Sequence, residues 1–324
     1  MAKVLVTGGA GYIGSHTVHL LLREGHDVAV VDDLSRGHRH NVPAQRLREL
    51  SLHDTGPLTD FCVAGRFDAI IHFAAFIAVG ESTRDPQMYF ANNLGGSLSL
   101  LTAMKEAGIR RLVFSSTAAV YGNPRSVPIR EDAAIAPVNP YGESKAAVER
   151  ILRWLDLHGG LRSIALRYFN ACGAEPESGL GEEHNPETHL IPLVLRAIRT
   201  GKPVTIFGND YPTPDGTCIR DYIHVSDLAA AHILALRSLL DGGPSDTMNV
   251  GTGRGHSVLE VLRAAEEATG SPVPCEFGAR REGDPAELVA DSTRLRQKLN
   301  WRPRHEDLKE IVASAWKFES KRKD

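Results

Sequence analysis

Cysteine is scarce in this chain and scattered: Cys62, Cys172, Cys218 and Cys275 lie far apart, with no Cys-x-x-Cys pair. That spacing argues against a disulfide framework or a zinc knuckle and fits a reducing, cytoplasmic setting. No apolar run reaches bilayer-spanning length, and Met1-Ala2-Lys3 leads straight into a short strand pattern, so neither a transmembrane helix nor a signal peptide is expected. There is no dense basic block, and the formal net charge is only -3, which removes the electrostatic footprint of a nucleic-acid or anionic-membrane binder. Internal repeats and low-complexity segments are missing too. What remains is 324 residues, 42% hydrophobic and 24% charged, enough for two lobes or one large α/β domain with a sizeable core. Small molecules are the expected partners.

Lys3-Val4-Leu5-Val6-Thr7 reads as a buried parallel strand. Gly8-Gly9-Ala10-Gly11-Tyr12-Ile13-Gly14 follows at once, then a helical pattern from Thr17 to Arg23 closed by Gly25, then a second strand, Asp27 to Asp32. Two glycine patterns overlap in the turn, Gly9-x-Gly11-x-x-Gly14 and Gly8-x-x-Gly11-x-x-Gly14. Either lets the backbone turn tightly and aim helix N-terminal N–H groups at a pyrophosphate. A glycine turn alone can be purely structural; its place between strand and helix, with Asp32 positioned to accept a ribose hydroxyl, gives the dinucleotide reading its weight. The Asp32 carboxylate would repel a 2′-phosphate, so NAD is expected over NADP.

The α/β alternation continues through strands at Phe67 to Phe73, Arg111 to Ser116 and Ser163 to Tyr168, with one long helix from Met88 to Ala107 stopped by Gly108. The expected fold is a Rossmann, doubly wound parallel sheet with a smaller C-terminal α/β substrate lobe. Residues 1–170 would form the NAD-binding domain, with 222–250 returning to it, and 171–324 the interleaved lobe. Gly, Pro and acidic residues from Ala171 to Thr188, and a second turn-rich stretch from Gly208 to Gly216, mark the departure. Helices at Leu190 to Arg199, Val225 to Leu240 and Val258 to Thr269 and short strands near Val204 and Asn249 complete the pattern, and the charged tail from Lys317 to Asp324 reads as a solvated helix end.

Asn139-Pro140-Tyr141-Gly142-Glu143-Ser144-Lys145 opens a helix with Val148, Ile151, Leu152 and Leu155 at helical spacing. Tyr141 and Lys145 therefore share a face one turn apart. A phenol with pKa of about 10 is a weak base near neutrality unless a cation favours its phenolate. Lys145 can supply that charge, although such pairs also occur as plain helix surface. Ser115-Ser116-Thr117 ends the strand before this helix, at the sheet edge where a substrate would meet the nicotinamide. Serine and threonine can merely cap a strand end there; the Tyr-Lys helix that follows makes Thr117 a catalytic candidate.

Thr7 to Ser15, Ser115-Ser-Thr-Ala-Ala-Val-Tyr-Gly122, Tyr141-Gly-Glu-Ser-Lys145, Arg167-Tyr-Phe-Asn170, Ile206 to Thr217 and Arg220-Asp-Tyr-Ile-His-Val225 resemble, in order, the UDP-glucose 4-epimerases of the extended short-chain dehydrogenase/reductase family. The resemblance runs from residue 1 to about Trp301. It implies a homodimeric isomerase that interconverts UDP-galactose and UDP-glucose on retained NAD: the tyrosine removes the 4′-hydroxyl proton, C4 gives up a hydride, and the 4-keto sugar turns over before taking the hydride back. It implies Tyr141 as base and acid, Lys145 to depress the tyrosine pKa and touch the nicotinamide ribose, and Thr117 to hydrogen-bond the 4′ oxygen. The implied cofactor set is Gly8, Gly11, Tyr12, Ile13 and Gly14 in the turn, and Asp32, Asp33 and Leu34 after the second strand. Ser51, Leu52, Phe73, Ala74, Ala75, Ile77, Asn92, Asn93, Ser115 and Tyr168 join Tyr141 and Lys145 in it. On the sugar-nucleotide side it implies Arg220 and Arg281 for the diphosphate, Phe207 against uracil, Asp284 on a ribose hydroxyl, and Asn170 on a phosphate or sugar. Phe169, His189, Leu190 and Leu288 line the sugar.

Several positions depart from the family pattern. Ile77 replaces a lysine that contacts the cofactor, Ser51 replaces the aspartate on the adenine amine, and His189 stands for an asparagine. Leu288 replaces a larger tyrosine beside the sugar's 2′ substituent, which admits UDP-N-acetylglucosamine as an alternative substrate. A 4,6-dehydratase would need an acid and a base beside Thr117, where the chain has Ala118-Ala119. A uronic-acid epimerase or decarboxylase would want a cation near C6, and none can be located. A non-catalytic NAD sensor would have no use for Tyr141, Lys145 and Thr117 together. The long helix from Met88 and the helix from Pro140 are candidate dimer contacts. No metal is expected: His38 and His40 have no His-Glu-x-x-His partner spacing and read as a polar loop.

Overall fold

The computed structural model describes residues 1–281 and 284–322. Gly283, in the stretch leading to Leu288, and the last two residues of the charged tail, Lys323 and Asp324, lie outside the described residues.

Six strands alternate with helices to build the main sheet: β1 (Lys3–Thr7), β2 (Asp27–Asp32), β3 (Leu47–Glu49), β4 (Ala69–His72), β5 (Arg111–Thr117) and β6 (Arg162–Tyr168). Two strands add β7 (Asn170–Cys172) and β8 (Val204–Phe207), then β9 (Ile219–His224), and β10 (Asp246–Val250) closes the large sheet. Its order is β3-β2-β1-β4-β5-β6-β10, and every neighbour pair in it is parallel. The fold is therefore Rossmann-like, and the order reverses between β1 and β4, which places a crevice at the carboxyl ends of those strands.

Side-chain alternation along the strands fills two cores. Val4, Val6, Ile71, Val113, Ile164 and Leu166 pack on one face under α1 (Tyr12–Arg23) and α8 (Val225–Leu240). Leu5, Ile70, Leu112, Phe114 and Ala165 pack on the other, under α2 (Thr55–Gly65), α5 (Gly96–Glu106) and α6 (Pro140–Gly159). A third core gathers α7 (Leu190–Thr200), α9 (Val258–Thr269) and α11 (Leu308–Glu319) around β8. Here β12 (Cys275–Gly278) pairs with β8, while β11 (Gly255–Ser257), β13 (Glu287–Leu288) and β7 gather on β9. Two short helices, α3 (Val79–Arg84) and α4 (Pro86–Tyr89), precede α5, and α10 (Thr293–Leu299) precedes α11.

One expected element is different in kind. The helical path begins at Pro86 with Asp85 accepting from the Met88 amide at 3.0 Å, and a wide π-helical turn, Phe90–Gly95, separates α4 from α5. The physical gain of that turn is local: it carries Asn92 to the crevice and buries Asn93, whose Oδ1 accepts from the Phe76 amide at 2.8 Å and whose Nδ2 donates to Ser144 Oγ at 3.1 Å. The fourth strand is also shorter than its apolar run, Ala69–His72, because Phe73 and the residues after it leave the sheet to line the crevice.

Candidate active site

A cleft of about 720 Å³ opens along the carboxyl ends of the strands, within the size range of small-ligand sites. Its floor is the glycine turn. Gly14 cannot be replaced there, since a Cβ would come within 2.2 Å of the Gly8 carbonyl oxygen. The backbone thus lies bare where a pyrophosphate would sit, a cradle that fits a dinucleotide. Gly8, Gly11, Tyr12 and Ile13 line it with Gly14, and Asp32, Asp33, Ser51, Leu52, Phe73, Ala74, Ala75, Ile77 and Asn92 extend it.

Asp32 is buried and already engaged: its oxygens accept from the Ala10 and Leu34 amides, each at 2.9 Å. Burial pushes this carboxyl up from its ordinary value and the two amide bonds pull it back. A carboxylate offers about four acceptor sites, so two remain for a ribose diol. Arg36, which the sequence reading passed over, reaches the same rim. Its guanidinium is committed to Glu81 at 3.0 and 3.2 Å and to the Asn185 carbonyl at 3.1 Å, so it is held by partners of its own rather than standing free for a 2′-phosphate.

At the other end, α6 begins where the sequence said it would. Asn139 caps it by accepting from the Gly142 amide at 2.8 Å, and Gly160 ends it in the left-handed region. A Cβ on Gly142 would meet the Ala119 carbonyl oxygen at 2.6 Å, so glycine lets the helix press on the turn that follows Thr117. Tyr141 and Thr117 thereby line one wall, both buried. Burial drives the Tyr141 phenol well up, the neighbouring Tyr168 adds to this, and the Thr117 hydroxyl opposes it.

Lys145 differs from expectation. It does not line the cleft, and its Nζ donates to the Ser115 carbonyl at 2.8 Å and lies 4.9 Å from the Phe114 ring centroid. Burial brings its amine down to about 7 despite Glu149. Buried Ser115 stands behind the wall as well, donating from Oγ to the Tyr168 hydroxyl at 3.1 Å. Leu34, with φ of 60°, and Asn93 hold backbone in place rather than lining the cleft.

Tyr168, Phe169, Asn170, His189, Arg220, Asp284 and Leu288 line the same cleft, Tyr168 in register beside Thr117. Arg220 and Asp284 face each other at 3.9 Å, and Leu288 sits on β13 in register with Arg220. Phe207 and Arg281 are elsewhere: they line an adjoining cavity with Thr188, the guanidinium stacked 4.0 Å from the ring centroid of a Phe207 that is 38% exposed. Phe207 ends β8, where it pairs in register with Gly278 of β12. Leu190 is the first residue of α7 and packs against the third core.

Between these ends lies a loop that sequence reasoning read only as a change of composition. Glu182, His184 and His189 line the cleft. His189 Nδ1 lies 2.7 Å from Glu182 Oε1 and 2.8 Å from Glu187 Oε1, and His184 Nδ1 lies 3.1 Å from Glu182 Oε1. Burial opposes charge on the Glu182 carboxyl, but the His189 and His184 imidazoles prevail and hold it low. The alternating Glu-x-His and Glu-x-His spacing was the available signal.

A family model described as the NAD dependent epimerase/dehydratase family matches residues 4–251. The chain is 52% identical over 319 residues to the UDP-glucose 4-epimerase of Azospirillum brasilense, covering 98% of this chain and 92% of that one. It is similar, with a TM-score of 0.95 and 44% identity, to a crystal structure of UDP-glucose 4-epimerase from Brucella ovis in complex with NAD, over 98% of this chain and 99% of that chain. A UDP-glucose-4-epimerase from Stenotrophomonas maltophila with bound NAD and formylated UDP-arabinopyranose superposes with a TM-score of 0.94 at 42% identity, over 99% of this chain and 98% of that one. The sheet order, the bare glycine cradle and likeness over nearly the whole length agree, and the chain belongs to the NAD dependent epimerase/dehydratase family.

Proposed function

We propose that this protein is an NAD-dependent UDP-glucose 4-epimerase that interconverts UDP-galactose and UDP-glucose. The observation that carries the reading is that Tyr141 and Thr117 share one cleft with the glycine cradle and with Arg220, Asp284 and Asn170. Bound NAD would supply the hydride acceptor and donor at C4 and a positive ring charge beside the phenol. Gly8 to Gly14, Asp32, Asn92 and the loop from Phe73 to Ile77 would hold it. Tyr141 takes the proton of the sugar 4′-hydroxyl and later returns it, with Thr117 orienting that oxygen. Lys145, held near neutrality by burial, responds readily to charge nearby and stiffens the strand end through Ser115.

Arg220 provides a planar fork for diphosphate, with Asp284 beside it able to accept from a ribose hydroxyl. Phe169, Asn170, His189 and Leu288 bound the sugar and leave room for it to turn. Phe207 and Arg281 form the uracil end in the adjoining cavity. The residues divide as residues 1–170 with 222–250 around the nucleotide and 171–324 around the UDP-sugar. The site has no acid-base pair in place of Ala118 and Ala119, which favours epimerisation over dehydration. The protein acts in the cytoplasm as a homodimer. No helix among the described residues is long and apolar enough to cross a membrane. Leu98 on α5 and Trp154 and Leu157 on α6 are exposed apolar side chains suited to contact with a second copy.

The test is Tyr141→Phe. It is expected to lose at least about 100-fold in epimerase turnover with NAD still bound; unchanged turnover would remove Tyr141 from the mechanism.

A further inference from the structure

Beside His189, which bounds the sugar, the Glu182 to His189 loop holds three donors, Glu182, His184 and Glu187, to which the proposed reaction assigns no role. One ligand atom from each of Glu182, His184, Glu187 and His189 lies within 4.8 Å of every other. Four donors about 2.1 Å from a common zinc ion lie about 3.4 Å apart in a tetrahedron, so a small contraction would bring these to coordination distance. A second feature points the same way. The Glu187 side chain has 0% exposure, and its Oε2 is buried with no hydrogen-bond partner among the described residues. An unpaired carboxylate oxygen in the interior is unfavourable unless a cation or donor meets it.

We propose that these four side chains form a binding site for a divalent transition-metal ion of the zinc class. Two imidazoles with two carboxylates suit Zn²⁺ better than Mg²⁺ or Ca²⁺, which favour oxygen-only shells. Binding would displace the Nδ1 protons that now lie between the imidazoles and the carboxylates. The surroundings fit a built site: the Thr188 and His189 amides donate to Glu187 Oε1 at 2.7 and 2.9 Å, and Arg322 donates to the Glu182 carbonyl at 3.4 Å. Ions can enter from the cleft, which Glu182, His184 and His189 line, or from the cavity that Glu187 lines. Four protein ligands leave no open position, so the ion is structural and braces the loop that walls both cavities. The site shares His189 with the sugar pocket, and zinc uptake is read without turnover. The expectation of no metal concerns His38 and His40 above all, and neither belongs to this site.

The full chain, stripped with a chelator, is titrated with Zn²⁺ alone by calorimetry, beside Glu187→Gln and His184→Asn. One saturable equivalent per wild-type chain is expected, weakened at least about tenfold in either variant. X-ray absorption of the zinc-loaded wild type should then show imidazole nitrogen and carboxylate oxygen with no sulfur. No saturable uptake by wild type, an affinity unchanged from wild type in both variants, or a sulfur ligand from the exposed Cys275 would each overturn the proposal.

Discussion

Tyr141 is a phenol that burial holds firmly in its protonated form, so the chain alone does not make it a base. It becomes one only with positive charge near it. Epimerase rate should accordingly follow pH through the cofactor-bound state, and Thr117→Val should lower turnover by at least about tenfold by releasing the 4′ oxygen; an unchanged rate would place Thr117 among mere strand-end caps. Leu288 raises a separate question. It lines the cleft in register with Arg220, and Leu288→Tyr is expected to lower the efficiency ratio of UDP-N-acetylglucosamine to UDP-glucose by about tenfold, one apolar pocket's worth of discrimination. Comparison of kcat/KM on both sugars decides it, and an unchanged ratio removes Leu288 from substrate choice.

At the scale of elements, the buried Asp221 on β9 links three segments by accepting from the Thr252 amide and hydroxyl, both at 2.8 Å, the Gly253 amide at 2.9 Å and the Ala290 amide at 3.1 Å. Asp221→Ala should cost about 3 kcal/mol or more, because these donors stay buried without a partner. Denaturant titration would show it as a lower midpoint, and no shift would contradict the network. The sequence motif Arg220-Asp221-Tyr222 signalled family likeness without this job, since the partners come from residues distant in the chain. Local patterns were legible for the same reason that this was not. The apolar strand runs, the Asn139-Pro140 cap and the glycine turn each depend on near neighbours. The π-helical turn at Phe90–Gly95, the seating of Arg36 on Glu81 and the exit of Phe207 from the main cleft depend on what packs against them. Lys145 sits on the expected helix, but its partner is set by strand β5.

For the whole molecule, acid sensitivity follows from histidines buried without charge. Burial lowers His72 and His224 from 6.5 to about 3 and His232 to about 4. Unfolded, each takes up a proton as pH falls through 6.5, while the folded chain does not, so stability is full above that value and is lost as pH falls toward about 4. Each histidine should remove roughly 2 kcal/mol by pH 5. His232→Leu should lessen the slope of stability against pH by about one proton, and an identical slope would exclude His232 from the effect. Assembly is tested with Trp154→Glu, which places a charge on the exposed face of α6; sedimentation is expected to turn a dimer into a monomer, and a wild type that sediments as a monomer would contradict the dimer. The central claim is tested most directly by incubating the purified protein with UDP-galactose, with no NAD added, and resolving the nucleotide sugars by chromatography. Formation of UDP-glucose at constant total nucleotide sugar is the predicted result. No conversion, even after NAD is supplied, would contradict the proposed reaction.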